Sequence, residues 1–181
     1  MQFKRMSRWI YVCSLTFFCL IINVPQIESK NLGLFILNEE IIMPFPEEPA
    51  STGPIISGNV IYYGYGFPDQ ELGISYSATI IRDSKQDNLP AKTHVSIFLN
   101  GHAFHQKAEI VKKGELEIDG RVAGYITTHR ERRSFTIRSN IVVIYDKGNF
   151  YTWEVQGAPK LAEVLVDQIF FKNINNISFL K

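Results

Sequence analysis

Histidine and arginine carry most of the chemistry that this sequence could do. His102 and His105 form a His-x-x-His pair. On a helix the two imidazoles would lie one turn apart on one face and could share a metal ion. His94 points to nearly the same face, but the intervening helix would hold it ~16 Å from His105. The nearest acid, Glu109, is not spaced to complete the set. Two imidazoles fall short of the ligands a metal centre needs, so ordinary boundary histidines are the stronger reading.

His129, Arg130, Arg132, Arg133 and Arg138 crowd one expected hairpin. Guanidinium groups grip carboxylates and phosphates in a bidentate way, so this cluster is a candidate partner-binding patch. The competing reading is a solvated turn whose charge keeps the hairpin tip soluble. A second candidate is Tyr62, which alternation places beside Gly64 and Gly66, on the face opposite Tyr63, Tyr65 and Phe67. Two glycines beside a ring leave a shallow, backbone-exposed strip where an extended peptide could lie. Packing explains Tyr63, Tyr65, Phe67 and Tyr76 more simply.

Other chemistries find no support. There is no Gly-x-Ser-x-Gly elbow and no glycine-rich phosphate loop; Gly64-Tyr65-Gly66 is a piece of a strand. Glu47 and Glu48 sit among prolines and read as solvated. No cofactor motif is present, so none is expected.

The elements that must position these groups follow from turns and periodicity. Asp119-Gly120 between apolar runs is a strong hairpin signal and joins strands over 108–118 and 121–130. A turn at Arg130–Arg133 leads to a strand from Phe135. Its later half, Ile141–Tyr145, is apolar on both faces, as a central strand covered on both sides requires. Asp146–Asn149 turns the chain into Phe150–Gln156, with Tyr151, Trp153 and Val155 on one face and Thr152 and Glu154 on the other. Pro159 suits the first turn of a helix whose apolar stripe is Leu161, Val164, Leu165 and Ile169.

Earlier in the chain, 32–37 and 41–45 read as a hairpin about Asn38-Glu39. Pro44, Pro46, Pro49 and Pro54 then read as an extended loop. Two alternating strands follow, 59–67 and 74–80. Asn88 is placed to cap a helix beginning at Leu89-Pro90, with Val95, Phe98, Leu99 and His102 as its stripe. The order strands, helix, strands, helix predicts an α+β fold: an antiparallel β-sheet with helices packed on it.

Lys4, Arg5 and Arg8 precede an apolar run of ~16 residues, with a small residue at Ser29. Residues 1–29 therefore read as a signal peptide, and 30–181 as a single α+β domain with no membrane span after cleavage. An uncleaved anchor is the competing reading. The two cysteines of the chain, Cys13 and Cys19, lie within this leader. The mature domain would be cysteine-free, without disulfide, thiolate or Cys-ligated zinc. Its net charge, about −1 once the leader is gone, argues against general nucleic-acid binding. A cysteine-free exported domain points to a periplasmic or otherwise secreted bacterial protein.

Several segments together resemble a family. They are Met43-Pro44-Phe45-Pro46-Glu47-Glu48-Pro49, Gly120-Arg121-Val122-Ala123-Gly124-Tyr125, Gly148-Asn149-Phe150-Tyr151-Thr152-Trp153, Ile169-Phe170-Phe171 and Ser178-Phe179. Spread over most of 41–180, they resemble the PsbP-like α/β/α sandwich and its small secreted bacterial members. The likeness departs at Asn173-Ile174-Asn175-Asn176, which separates the helix from Ser178-Phe179. The resemblance implies a fold and a non-catalytic partner or assembly factor, and it supplies no catalytic residue. The function expected is an extracytoplasmic, non-enzymatic binding or assembly module that recognises a protein or envelope component. The alternatives are a small metal-dependent or acid–base enzyme using His102 and His105, and a secreted virulence-associated factor.

Overall fold

The computed structural model describes residues 31–83, 88–158 and 161–180. The signal-peptide reading of 1–29 and the placement of Pro159 lie outside the described residues. Among the described residues ten strands and two α-helices follow one another as β1 (Gly33–Leu37), β2 (Ile41–Phe45), β3 (Ala50–Ser57), β4 (Val60–Asp69), β5 (Ile74–Asp83), α1 (Ala91–Gln106), β6 (Glu109–Ile118), β7 (Arg121–Arg132), β8 (Phe135–Asp146), β9 (Asn149–Gly157), α2 (Leu161–Asn173) and β10 (Ser178–Phe179), with a 3-10 turn at Ile174–Asn176 before β10. The fold is α+β and mostly sheet.

Seven strands form one antiparallel sheet in the order β3-β4-β5-β9-β8-β7-β6, and β1-β2-β10 form a small second one. Tight turns set the registers. Asp119 and Gly120 both take positive φ, as do Lys147 and Gly148, which is the backbone of a two-residue hairpin turn. β8 is central, and its residues 141–144 are buried on both faces.

The two helices cover opposite faces of the large sheet. Val95, Leu99 and Ala103 of α1 pack with Ile126, Ile141 and Val143. Leu165, Val166, Ile169 and Phe170 of α2 pack with Val142, Ile144 and Trp153. Successive residues of a strand face opposite ways, so 141 and 143 belong to one layer and 142 and 144 to the other. The small sheet shares the α2 side. Ile41, Met43 and Phe45 are fully buried there, and Trp153 donates its indole N–H to the Pro44 carbonyl at 2.9 Å.

Four expectations need correction. Ala50–Ser57 is a strand, not part of a loop; it lies at the edge of the sheet, where proline and a bulge are tolerated, and its register shifts between Thr52 and Ile55. Pro44 lies within β2, but β10 pairs only with Ile41 and Ile42, so Pro44 has a strand on one side. Helix α1 begins after Pro90, which is its N-cap without a side-chain hydrogen bond; Asn88 does not cap it. A residue before proline disfavours helical backbone, so Leu89 cannot join the helix. Val164 is 62% exposed. The buried face of α2 is instead Leu165, Val166, Ile169, Phe170 and Asn173, which leaves Val164 on the far side of the helix.

Candidate functional site

The arginine cluster divides when the strands pair. The β7–β8 hairpin turns at Arg133-Ser134, further out than the charged run suggests. β6 reaches β7 only as far as His129, and β9 reaches β8 only as far as Arg138. The pairs Arg130–Ile137, Glu131–Thr136 and Arg132–Phe135 therefore have no strand neighbour. The hairpin ends as a two-stranded ribbon standing past the sheet.

Arg130 and Arg138 leave this ribbon from opposite faces, because His129, not Arg130, lies across from Arg138. Arg130 donates to the Gln106 side chain at the end of α1. Arg138 grips Asp167 of α2 with two hydrogen bonds, 2.7 and 2.5 Å, and contacts His129 Nε2 at 2.5 Å. Asn140 also donates to Asp167, at 2.7 Å, and accepts from Thr127 at 2.5 Å. Burial works to raise the Asp167 pKa, but the hydrogen bonds from Arg138 and Asn140 hold it below its ordinary value. Arg138 is thus a strut between α2 and β8. Arg132 and Arg133 are exposed at the tip beside Phe135, itself 46% exposed. Neither guanidinium group makes an ion pair or hydrogen bond with a described residue. A hollow of about 330 Å³ lies at the ribbon's base, lined by Arg130, Ile137, Asp69, Gln70 and Gln156.

The histidines do not come together as a site. His102 lies against the sheet, with Nε2 3.7 Å from Glu154 Oε1, and the Ser139 hydroxyl donates to the same carboxylate. His105 is exposed, in edge contact with the Phe104 ring. His94 stacks on Tyr145, with ring centres 4.3 Å apart. Among the described residues no three His, Cys, Asp or Glu side chains are grouped to hold a metal ion. In the Ser139–Glu154–His102 group the carboxylate sits between hydroxyl and imidazole. The hydroxyl therefore meets no imidazole base of the kind that activates a serine nucleophile. Glu154 was legible only as a residue on the face opposite Trp153; that α1 covers this face is a tertiary fact.

The strip around Tyr62 is narrower than its sequence suggests. Tyr62 lies across from Ile55, and Thr52 covers Gly64, where an added Cβ would sit 2.6 Å from Thr52 Oγ1. Tyr63, Tyr65 and Phe67 pack on the main core, and Tyr76 is buried in it. Sequence reasoning missed a groove of about 310 Å³ between α1 and strands β6 and β7. Val95, Leu99, Val122 and Ile126 form its apolar walls, and the Lys92–Glu115 ion pair, 2.7 Å, closes its rim. Gly124 is the one sequence signal for it. A Cβ there would meet Val95 at 2.8 Å and Leu99 at 3.2 Å, so glycine lets α1 approach.

No family model matches the chain, and no curated protein matches it. Solved structures do. The solution structure of the cyanobacterial PsbP protein, CyanoP, from Synechocystis sp. PCC 6803 aligns with a TM-score of 0.57 and 12% identity, covering 86% of this chain and 96% of that one. The crystal structure of a protein of unknown function, PA94, from Pseudomonas aeruginosa aligns with a TM-score of 0.46 and 15% identity, covering 78% and 92%. The CyanoP likeness shows a PsbP-like fold.

Proposed function

We propose that this protein is an extracytoplasmic binding or assembly module of the PsbP-like type, periplasmic or secreted once residues 1–29 are removed. It recognises a protein or envelope component that presents carboxylates or phosphates. The reading rests on the β7–β8 ribbon, which carries two exposed guanidinium groups, Arg132 and Arg133, and an exposed aromatic ring past the end of the neighbouring strands. Arg132 and Arg133 are the recognition residues, with Phe135 supplying apolar contact. Arg138 supports the ribbon from behind through Asp167, and Arg130 through Gln106. The hollow at the base gives a partner somewhere to seat a side chain. Tyr62, half-buried and flanked by the Thr52 cover, is the lesser candidate.

The double variant Arg132→Glu, Arg133→Glu tests this reading. Surface substitutions change stability by less than ~0.5 kcal/mol, so folding should be intact. Capture of the partner from envelope extracts should be lost, and wild-type capture should weaken as salt is added. Capture equal to the wild type would reduce the ribbon to a solvated turn.

A further inference from the structure

The two edges of the seven-stranded sheet are unlike. β6 carries Glu109, Lys112, Lys113, Glu115 and Glu117, and a bulge at Val111. Charges and bulges of this kind stop an edge from pairing with another chain. β3 carries no charge, and neither does any residue from Pro49 to Pro68. All of β3 is exposed, including Ile55 at 59% and Ile56 at 70%.

The backbone pattern of this edge follows from its hairpin. Ser57 pairs with Val60 across a two-residue turn. In such a hairpin the closing pair exchanges both hydrogen bonds, and bonded pairs alternate from there. Ser57 and Ile55 therefore turn their backbone groups toward β4. Ile56 turns both of its own outward. The carbonyl of Pro54 and the N–H of Gly58 point outward too, since each is opposed to the inward group of its neighbour. In chain order the free edge presents acceptor, donor, acceptor, donor.

We propose that a second copy of this chain pairs on this edge, β3 antiparallel to β3 about a two-fold axis at Ile56. Each Ile56 N–H donates to the partner's Ile56 carbonyl, and each Gly58 N–H to the partner's Pro54 carbonyl. The N–H that Pro54 lacks falls opposite Gly58, where the strand has already ended. The pair of Ile56 side chains meets at the axis, and Ile55 lies across from Ser57. A two-fold axis sets the residue on it against its own copy, so a charge there would repel itself, whereas β3 carries no charge at any position. The bulge before Ile55 and the turn at Gly58 confine any added strand to this short run, which self-pairing matches in length at both ends.

The test uses the chain in the form its host produces. Sedimentation equilibrium over a concentration series should show monomer passing to dimer. Hydrogen exchange at the Ile56 amide should slow as the dimer forms. Ile56→Lys places two ammonium groups across the axis and should weaken association at least about tenfold, with the unfolding midpoint unchanged. A protein monomeric to roughly millimolar concentration, where even a millimolar dissociation constant would register, overturns the proposal. So does a dimer in which the Ile56 amide exchanges as fast as in dilute protein, or one that survives Ile56→Lys. Should that variant fail to fold, the exchange of the unaltered protein decides.

Discussion

Arg121 places its guanidinium carbon 3.7 Å from the centre of the Phe179 ring. The same ring meets Tyr151 edge-on at 4.9 Å, and the Phe179 N–H donates to Asp119 at 3.1 Å. Leu180 then donates to the Glu40 carbonyl at 2.9 Å. β10 pairs over only Ser178 and Phe179, so side-chain contacts, more than ladder hydrogen bonds, hold it. Phe179→Ala should cost about 2 kcal/mol, below the range for fully buried phenylalanine because the ring is half-exposed. Urea midpoints of the two proteins check this, and faster amide exchange in β2 should accompany the loss.

Trp153 tests the centre of the core. It is fully buried, stacks on Phe170 at 5.4 Å and donates to Pro44 across the two sheets. Trp153→Ala should cost ~3–5 kcal/mol. Trp153→Phe keeps a ring but leaves the Pro44 carbonyl without its donor, and should still cost about 1–3 kcal/mol. A phenylalanine variant as stable as the wild type would show that the indole hydrogen bond contributes nothing.

The Arg138–Asp167 strut should make stability fall in acid. The Asp167 pKa lies below its ordinary value of 3.8 in the folded protein. A depressed carboxyl pKa contributes stability that is present above the unfolded-state pKa and is lost as pH falls through the folded one. Asp167→Asn should lower the unfolding free energy at pH 7 by about 1–2 kcal/mol, between the values for exposed and buried pairs. It should also flatten the loss below pH 4. Denaturant titrations from pH 6 to pH 2 on both proteins measure the difference in slope.

Gly124 should resist substitution. An alanine methyl would enter the contact with Val95 and Leu99, forcing α1 to shift or the side chains off their rotamers. Gly124→Ala should cost about 1–3 kcal/mol. The compensating Gly124→Ala, Val95→Ala pair should recover part of that loss, read in the same denaturation experiment.

What was legible in the sequence was whatever depends on neighbours along the chain. Asp119-Gly120 and Lys147-Gly148 announced their turns, and alternation placed Tyr76, Ala78 and Ile80, and Tyr151, Trp153 and Val155, on buried faces. What escaped depends on partners far along it. Ala50–Ser57 is punctuated like a loop, and only its pairing with β4 makes it a strand. Two residues of β10 have no period to read. The arginine cluster looked like one patch because its members are close in sequence; strand phase sends Arg130 to α1 and Arg138 to α2. The α1 groove was invisible because its walls come from α1, β6 and β7, which meet only in the folded chain.

The small sheet carries a consequence for the order of folding. β2 lies near the start of the described chain and β10 at its end, and they hydrogen-bond to one another. Trp153, also late, bridges to Pro44. A core closed by contacts of such wide sequence separation condenses slowly, because the long loop must be brought together before the contact rewards it. During synthesis the early hairpin must wait, without its third strand, until β10 has been made.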